Sequence, residues 1–182
     1  LCYNFAKGSN SLLCHVNNFK DYEKTIATYG VLRGTYEIIK KVNNFYYIDH
    51  GYFNQSKRKF ENNRTNVLDL DGYFRIVHNN FIHNGEGEFP DDRLKKLNLN
   101  FIEQRKSGDV IILSEPSETM KKIYNAYNWV EETKDVIKKL SDRKIIVHNK
   151  YSKIPLDELL KQAWSFVSLQ STAGFKAMIK GV

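Results

Sequence analysis

Three consecutive polar residues, Gln170-Ser171-Thr172, separate an apolar stretch from a run of small residues near the end of the chain. Hydroxyl groups at the start of a helix can accompany free backbone N–H groups and the positive end of the helix dipole, which together attract a phosphate. An earlier polar loop, 149–153, adds Lys150, and His148 lies at the end of the strand before it. These residues predict a site for a phosphate-bearing ligand. The alternative is that Ser171 or Thr172 only caps its own helix, and that His148 only packs at a strand end.

His50 is the residue best suited to acid–base chemistry. An imidazole can take the proton from an acceptor hydroxyl near neutral pH. Asp49 precedes it, and neighbours on a strand point to opposite faces, so we expect a different carboxylate to orient the His50 ring. The alternative is a turn histidine that is hydrogen-bonded to the backbone.

The elements that must position these residues alternate between strands and helices. In open parallel sheets with right-handed crossovers, ligands bind beyond the carboxyl ends of the strands. We therefore expect loops 149–153 and 170–172 to lie at one edge of a sheet. The pattern predicts strands at 144–148 and 165–169, a helix from Pro155 to Trp164, and a final helix at 173–179.

The most apolar short stretch, 110–113, predicts a buried strand that ends on Ser114-Glu115-Pro116-Ser117. Ser117 directly precedes Glu118, so an ordinary helix cap would explain this segment. Helices are predicted at 118–127 and 129–140. Trp129 and Trp164 occupy apolar helix positions, which predicts that both are core residues.

The first half of the chain repeats the alternation in a weaker form. The division near residues 95–107 predicts two lobes, 1–100 and 101–182, whose loop-bearing edges form a cleft. Residues 54–66 and 78–93 are predicted to be irregular, and Thr35 is the expected N-cap of its helix. The predicted strands are 11–16, 30–34, 45–48 and 73–77, and the predicted helices are 21–29 and 35–41.

The composition favours an anionic partner. The 182 residues include 28 Lys+Arg against 21 Asp+Glu, a net charge of +7, which suits a nucleotide, a nucleic acid or a lipid head group. The densest basic group, Lys57-Arg58-Lys59, accompanies no zinc-ligand spacing and no aromatic RNA-binding pattern. Two widely spaced cysteines, the absence of a signal-peptide pattern and the absence of a long apolar run predict a cytoplasmic protein without a membrane span.

Several segments of the second half together resemble the nucleotide-binding half of GT-B glycosyltransferases, in particular bacterial surface-polysaccharide transferases. Lys150 and Ser171-Thr172 fit motifs of that family, whereas His148-Asn149 depart from its Arg-Pro form. Ile48-Asp49-His50-Gly51 is similar to the His-Gly motif of related polymerases, in which the histidine is the base. The segments that carry the likeness are 110–117, 129–140, 143–150, 155–164 and 167–182.

The resemblance implies an α/β protein with two Rossmann-like lobes and parallel sheets. It implies transfer of a sugar from a nucleotide-activated donor to a saccharide or other acceptor hydroxyl, with His50 as base. We expect the chain to be a fragment whose second lobe is incomplete, because Lys180-Gly181-Val182 stops where a helix would lead into another strand. The expected donor contacts are Glu115, Ser117, His148, Lys150, Gln170, Ser171 and Thr172.

GT-B enzymes generally need no metal, so the resemblance implies neither a metal nor a cofactor. Asp69-Leu70-Asp71 has the spacing of an Asp-x-Asp metal site, but its context predicts a strand that leads into a turn. Two alternatives stay open. One is a non-catalytic α/β module that binds a nucleotide or nucleic acid, and the other is a fragment that keeps the fold without turnover.

Overall fold

The structure is a computed structural model that describes residues 1–55, 58–61, 65–68, 72–83, 85 and 87–182, with 58–61 and 65–68 described as backbone only. The chain divides into two compact units, Leu1–Leu97 and Asn98–Val182. Each unit combines helices with a three-stranded sheet, so the protein is α/β. None of the helices in the described part of the chain has the length and apolar character needed to cross a membrane.

The first unit contains a three-stranded sheet and a separate two-stranded hairpin. Its elements are α1 (Cys2–Gly8), a 3₁₀ turn (Val16–Asn18), β1 (Ile26–Tyr29), α2 (Thr35–Ile39), β2 (Phe45–His50), the hairpin strands β3 (Arg58–Glu61) and β4 (Thr65–Leu68), β5 (Phe74–His78) and α3 (Asp92–Leu97).

The sheet of the first unit is mixed, with the order β1-β2-β5. Strand β1 runs parallel to β2, but β5 runs antiparallel to it, with His50 opposite Phe74. The expectation of a parallel sheet is therefore wrong for this unit. A parallel neighbour needs a crossover that is usually helical, whereas the described residues between β2 and β5 form a hairpin and no helix.

Several local predictions fail in the first unit. Residues 11–15 form no strand, and 26–29 form β1 instead of helix, because pairing with Phe45 to Ile48 decides their conformation. Residues 30–34 cannot be a strand, since Gly30, Arg33 and Gly34 all have positive φ. Gly34, rather than Thr35, is the N-cap of α2. Helix α2 and strands β2 and β5 confirm the predictions at 35–41, 45–48 and 73–77.

The second unit contains a fully parallel sheet with the order β7-β6-β8. Ser114, at the end of the central strand, pairs with His148 on one side and Ser168 on the other, so the three carboxyl ends coincide. The elements are β6 (Val110–Ser114), α4 (Glu118–Tyr124), α5 (Trp129–Leu140), β7 (Lys144–His148), α6 (Leu156–Lys161), β8 (Ala163–Ser168) and α7 (Ala173–Ile179).

Strand β6 is covered on both faces, which explains its continuous apolar sequence. Alternate residues point to opposite sides of a strand. Ile111 and Leu113 pack with Ile137 of α5. Val110 and Ile112 pack with residues of α6 and α7, namely Leu159, Leu160 and Ala177. Each fully buried aliphatic side chain in these clusters contributes about 1.5–3 kcal/mol relative to an exposed one.

The second unit confirms the predictions for β6, α5, β7 and α7, and it confirms the strand expected at 165–169, which begins at Ala163. It corrects two predicted helices. The helix expected to reach Trp164 ends at Lys161, because Ala163 already pairs with Val110. Trp164 therefore lies on a strand, and together with Trp129 it packs partly buried against the α5 side of the sheet. The helix expected to reach residue 127 ends at Tyr124, where Asn125 adopts a left-handed C-cap.

Candidate functional site

The order of the strands in the second unit creates a topological switch point. The first strand of this unit in the sequence, β6, lies in the middle of the sheet, with the second, β7, on one side and the third, β8, on the other. The chain that leaves β6 returns through α5 on one face, whereas the chain that leaves β8 enters α7 on the other face. Open α/β sheets bind ligands beyond the carboxyl ends of two such strands. We call residues 115–117 and 169–172 the switch-point loops.

Glu115, in the first switch-point loop, is held by its neighbours. Its Oε1 accepts a hydrogen bond from Lys121 Nζ at 2.8 Å and its Oε2 accepts one from Asn149 Nδ2 at 2.9 Å. These bonds, with the larger effect from Lys121, lower the pKa of Glu115 below its ordinary value. Glu115 therefore links α4 to the loop after β7, and both of its oxygens already have partners.

Ser117 ends the same loop and caps α4. Its hydroxyl oxygen accepts a hydrogen bond from the Met120 backbone N–H at 3.4 Å. The capping alternative is therefore confirmed for Ser117. A ligand would have to compete with this bond.

His148 and Lys150 lie on the β7 side of the sheet. The loop between them is closed by its own hydrogen bonds, since Asn149 Oδ1 accepts from Tyr151 N and Ser152 Oγ accepts from Asn149 N, both at 2.9 Å. Lys150 is exposed, with Nζ 4.8 Å from the centre of the Tyr151 ring. Strand β6 separates these residues from β8 by two strand spacings, about 10 Å.

The second switch-point loop holds polar groups with different roles. Ser171 Oγ accepts from the Ala173 backbone N–H at 3.2 Å. Thr172 occupies the N-cap position of α7 but its side chain makes no capping bond. Gln170 Oε1 is buried and has no hydrogen-bond partner among the described residues. An orphan acceptor of this kind destabilises the fold by about 1–3 kcal/mol unless a donor reaches it, so Gln170 is the most informative side chain of this loop.

His50 lies in the first unit, at the carboxyl edge shared by the parallel strands β1 and β2. Its Nε2 is 2.8 Å from the Tyr29 hydroxyl. The Phe74 ring stacks on the imidazole with 5.6 Å between ring centres. No carboxylate among the described residues is hydrogen-bonded to the His50 ring, so a phenol takes the place of the carboxylate that we expected.

Asp49 points away from the His50 ring, as the strand alternation predicted. Its Oδ2 accepts from the Tyr47 hydroxyl at 2.7 Å and from Arg75 Nη2 at 3.1 Å. Arg75 Nη1 donates to the Tyr52 hydroxyl at 2.7 Å. Burial, reinforced by the bond to Asp49, raises the pKa of Tyr47. Asp49 also accepts from the His50 backbone N–H at 2.8 Å, so this network fixes the end of β2.

Sequence reasoning missed Tyr29, Tyr47 and Arg75 as neighbours of the candidate base. The period of two along β2 and β5 indicates which residues share a face. It does not give the register between strands, which here places Arg75 opposite Asp49. The missing information was therefore the strand pairing.

A shallow depression of ≈540 Å³ opens at the opposite, amino-terminal edge of the second sheet. Its main cation is already engaged, because Arg143 Nε donates to the Gly108 carbonyl at 3.0 Å and the guanidinium lies 4.1 Å from the centre of a Trp164 ring. We therefore assign no site to it. The lining residues are Gly108, Asp109, Leu140, Ser141, Asp142 and Arg143.

Comparisons with models of protein families, with curated proteins and with solved structures found no match.

Two sequence-based hypotheses fall outside the described residues. They are the Asp69-Leu70-Asp71 metal spacing and the basic group at Lys57-Arg58-Lys59, of which the structure describes only the backbone of Arg58 and Lys59. Within the described part of the chain, no three His, Cys, Asp or Glu side chains cluster as metal ligands.

Proposed function

We propose that the second unit binds a nucleotide-activated sugar between its switch-point loops, and that the chain transfers this sugar to an acceptor hydroxyl with His50 as base. The observation that carries the proposal is the strand order β7-β6-β8, with α5 on one face and α6 and α7 on the other. This is the arrangement in which open α/β sheets bind nucleotides.

The side chains of the second switch-point loop support a polar ligand. Gln170 Oε1 is a buried acceptor without a partner among the described residues, so an N–H or O–H group of a base or sugar would satisfy it. The Thr172 side chain is exposed and makes no capping bond. Lys150, exposed on the β7 loop, favours an anionic ligand at this edge, and the net charge of +7 favours an anionic partner for the chain as a whole.

The chemistry that we propose is direct displacement at the anomeric carbon. The acceptor oxygen forms the new bond, the donor phosphate leaves with the bonding electron pair, and the acceptor proton passes to His50. The imidazole lies at the carboxyl edge of the first sheet. No metal or cofactor enters this scheme.

Ligand-dependent thermal unfolding tests the donor site. We expect nucleotide sugars of one base to raise the unfolding temperature, since a ligand at one hundred times its Kd stabilises the folded state by about 2.7 kcal/mol. Gln170→Ala should weaken binding in calorimetric titrations. Gln162→Ala is the matched control, because Gln162 is exposed and precedes β8 at the opposite edge. Equal affinities of the two variants, or no stabilisation by any nucleotide sugar, would refute the donor site.

A further inference from the structure

Neither ring nitrogen of His50 is open to an external hydroxyl group. Nε2 is 2.8 Å from the Tyr29 oxygen, and Nδ1 is buried without a hydrogen-bond partner among the described residues. A general base must come within about 2.6–3.2 Å of the proton that it takes. The nitrogen that an acceptor could reach is therefore the one that Tyr29 occupies.

The surrounding rings hold the imidazole in this position. Phe74 stacks on it at an interplanar angle of 24°. The Tyr29 ring meets it edge-on, with 5.8 Å between centres and an interplanar angle of 69°. The Asp49 carboxylate, bound to the His50 backbone N–H, fixes the strand beneath. Rotation of the His50 ring is thus restricted, and the Tyr29 hydroxyl is the group that has to move.

The burial of Nδ1 also bears on the position of the ring hydrogen. A neutral imidazole carries one hydrogen, on either Nδ1 or Nε2. A hydrogen on Nδ1 would be a buried donor without an acceptor, whereas a hydrogen on Nε2 can be donated to the Tyr29 oxygen. With the hydrogen on Nδ1, the Tyr29 hydroxyl donates to the Nε2 lone pair, and with the hydrogen on Nε2, that nitrogen has no lone pair. Nε2 is therefore closed to an incoming proton in both forms while Tyr29 is bound, and departure of Tyr29 exposes its lone pair in the form that carries the hydrogen on Nδ1.

We propose that Tyr29 is a positioning residue that holds His50 in a resting state. Its hydroxyl occupies Nε2, and His50 accepts a proton from an acceptor hydroxyl only after Tyr29 releases this nitrogen. The inference rests on the base role proposed for His50. It concerns the first unit alone, so its outcome is independent of nucleotide binding to the second unit.

Site-specific acylation of histidines by diethylpyrocarbonate tests, without any substrate, whether the Tyr29 hydroxyl protects His50 Nε2. The reagent needs a nitrogen lone pair, and mass spectrometry reports the rate at each histidine. His15 and His83 are exposed and serve as internal references in the same sample. In the wild-type chain at one fixed pH, we expect His50 to react about tenfold more slowly than these two, the factor that corresponds to one hydrogen bond.

Tyr29→Phe removes the hydroxyl and keeps the ring. We expect it to raise the His50 rate toward that of His15 and His83, whose own rates stay unchanged. Tyr46→Phe is the matched control. Tyr46 lies on β2, the strand that also carries His50, but its ring stacks on His78 with 4.8 Å between ring centres, so the variant should leave the His50 rate unaltered. Equal acceleration of His50 in Tyr46→Phe would contradict a specific role of the Tyr29 hydroxyl.

Two further outcomes overturn the proposal. In the first, His50 of the wild-type chain reacts as fast as His15 and His83, a result that needs no variant at all. In the second, Tyr29→Phe folds, as judged by unchanged near-ultraviolet circular dichroism, and His50 stays slow. If only the nucleotide titrations fail, the proposed donor site is wrong, and the proposal that Tyr29 blocks His50 is unaffected.

Discussion

Glu115 and Lys121 form a partly buried ion pair, with 2.8 Å between Oε1 and Nζ, that ties the loop after the central strand of the second unit to helix α4. The Glu115 side chain is 29% exposed and the Lys121 side chain is 13% exposed. The second carboxylate oxygen is bound to Asn149 of the loop after β7. One side chain therefore sets the spacing of two loops at the edge where we place the donor.

Glu115→Gln should lower the free energy of unfolding of the second unit by about 1 kcal/mol at neutral pH, because the amide keeps the shape and loses a charge-assisted bond. Glu118→Gln is the control, since Glu118 bonds the same Lys121 Nζ at 2.9 Å but is 83% exposed. Urea unfolding should show no measurable change for this control. Equal losses in the two variants would contradict a specific role for Glu115.

The contribution of Glu115 should depend on pH in a defined direction. Its bonds to Lys121 and Asn149 lower its pKa in the folded state from the ordinary value of 4.5. Such a group stabilises the fold above its unfolded pKa and loses that contribution as the pH falls through the folded pKa. The difference in unfolding free energy between wild type and Glu115→Gln should therefore be constant at neutral pH and shrink below 4.5. A difference in unfolding free energy that grows on acidification would contradict this prediction.

Asp49→Asn should destabilise the first unit by about 2–4 kcal/mol, because it leaves the largely buried Arg75 guanidinium without a counter-charge. The side chain of Arg75 is 16% exposed. Asp21→Asn removes a carboxylate from a solvent-exposed pair with Lys24, and it should leave the denaturant midpoint unchanged. Similar midpoints for the two variants would mean that the Asp49 pair contributes little.

Leu160→Ala should cost about 2–5 kcal/mol, the range for deleting a buried leucine side chain. Leu160 is 0% exposed and packs under β6 with Val110 and Ile112. Leu140→Ala makes the same chemical change at a residue that is 81% exposed, where about 0.5 kcal/mol or less is expected. Chemical denaturation followed by tryptophan fluorescence measures both. A small effect at Leu160 would argue against the packing of α6 on this sheet.

Gly108→Ala should destabilise the second unit by about 3 kcal/mol, because the added methyl group overlaps backbone atoms that cannot move away. A Cβ at this position, where φ is +147°, would lie 2.6 Å from the Ala163 carbonyl carbon. Gly8→Ala is the matched control, since its Cβ meets nothing within 4 Å. Thermal unfolding should show a large loss for Gly108→Ala and none for Gly8→Ala.

Ser171→Ala and Thr172→Ala should separate local stability from ligand binding. Ser171 precedes the N-cap of α7 and accepts from the Ala173 backbone N–H, so its loss should cost about 1 kcal/mol, the net contribution of one hydrogen bond. Thr172 makes no capping bond, so its replacement should leave stability unchanged. If the donor site is correct, Thr172→Ala nevertheless weakens nucleotide binding in calorimetric titrations. Unaltered nucleotide affinity in the double variant would show that neither hydroxyl contributes to the donor site.

Sequence patterns predicted the second unit better than the first for a physical reason. Strand β6 is apolar at every position from Val110 to Leu113 because helices cover both of its faces, so its burial is visible in the sequence itself. Strand β1 has no such signature. Ile26 to Tyr29 extend because they pair with β2, and that pairing is a tertiary effect that outweighs the local preference.

The candidate sites likewise contain one feature that the sequence predicted and one that it could not predict. Alternation along β2 correctly predicted that Asp49 turns away from the His50 ring. The contact between Tyr29 and His50 joins residues that are 21 positions apart, and the register of two strands creates it. Prediction of that contact from one sequence would require the strand order, which in this unit includes an antiparallel member that the repeated pattern of strand and helix conceals.

The antiparallel direction of β5 has an evolutionary consequence. The chain leaves the first sheet at His50 and re-enters it at Phe74, directly opposite, so residues 51–73 begin and end at one edge. Such an insertion can be lengthened, shortened or exchanged without shifting the register of any strand in that sheet. If His50 is the base that we propose, exchange of this segment, whose two ends lie beside it, would change the choice of acceptor on an unchanged scaffold.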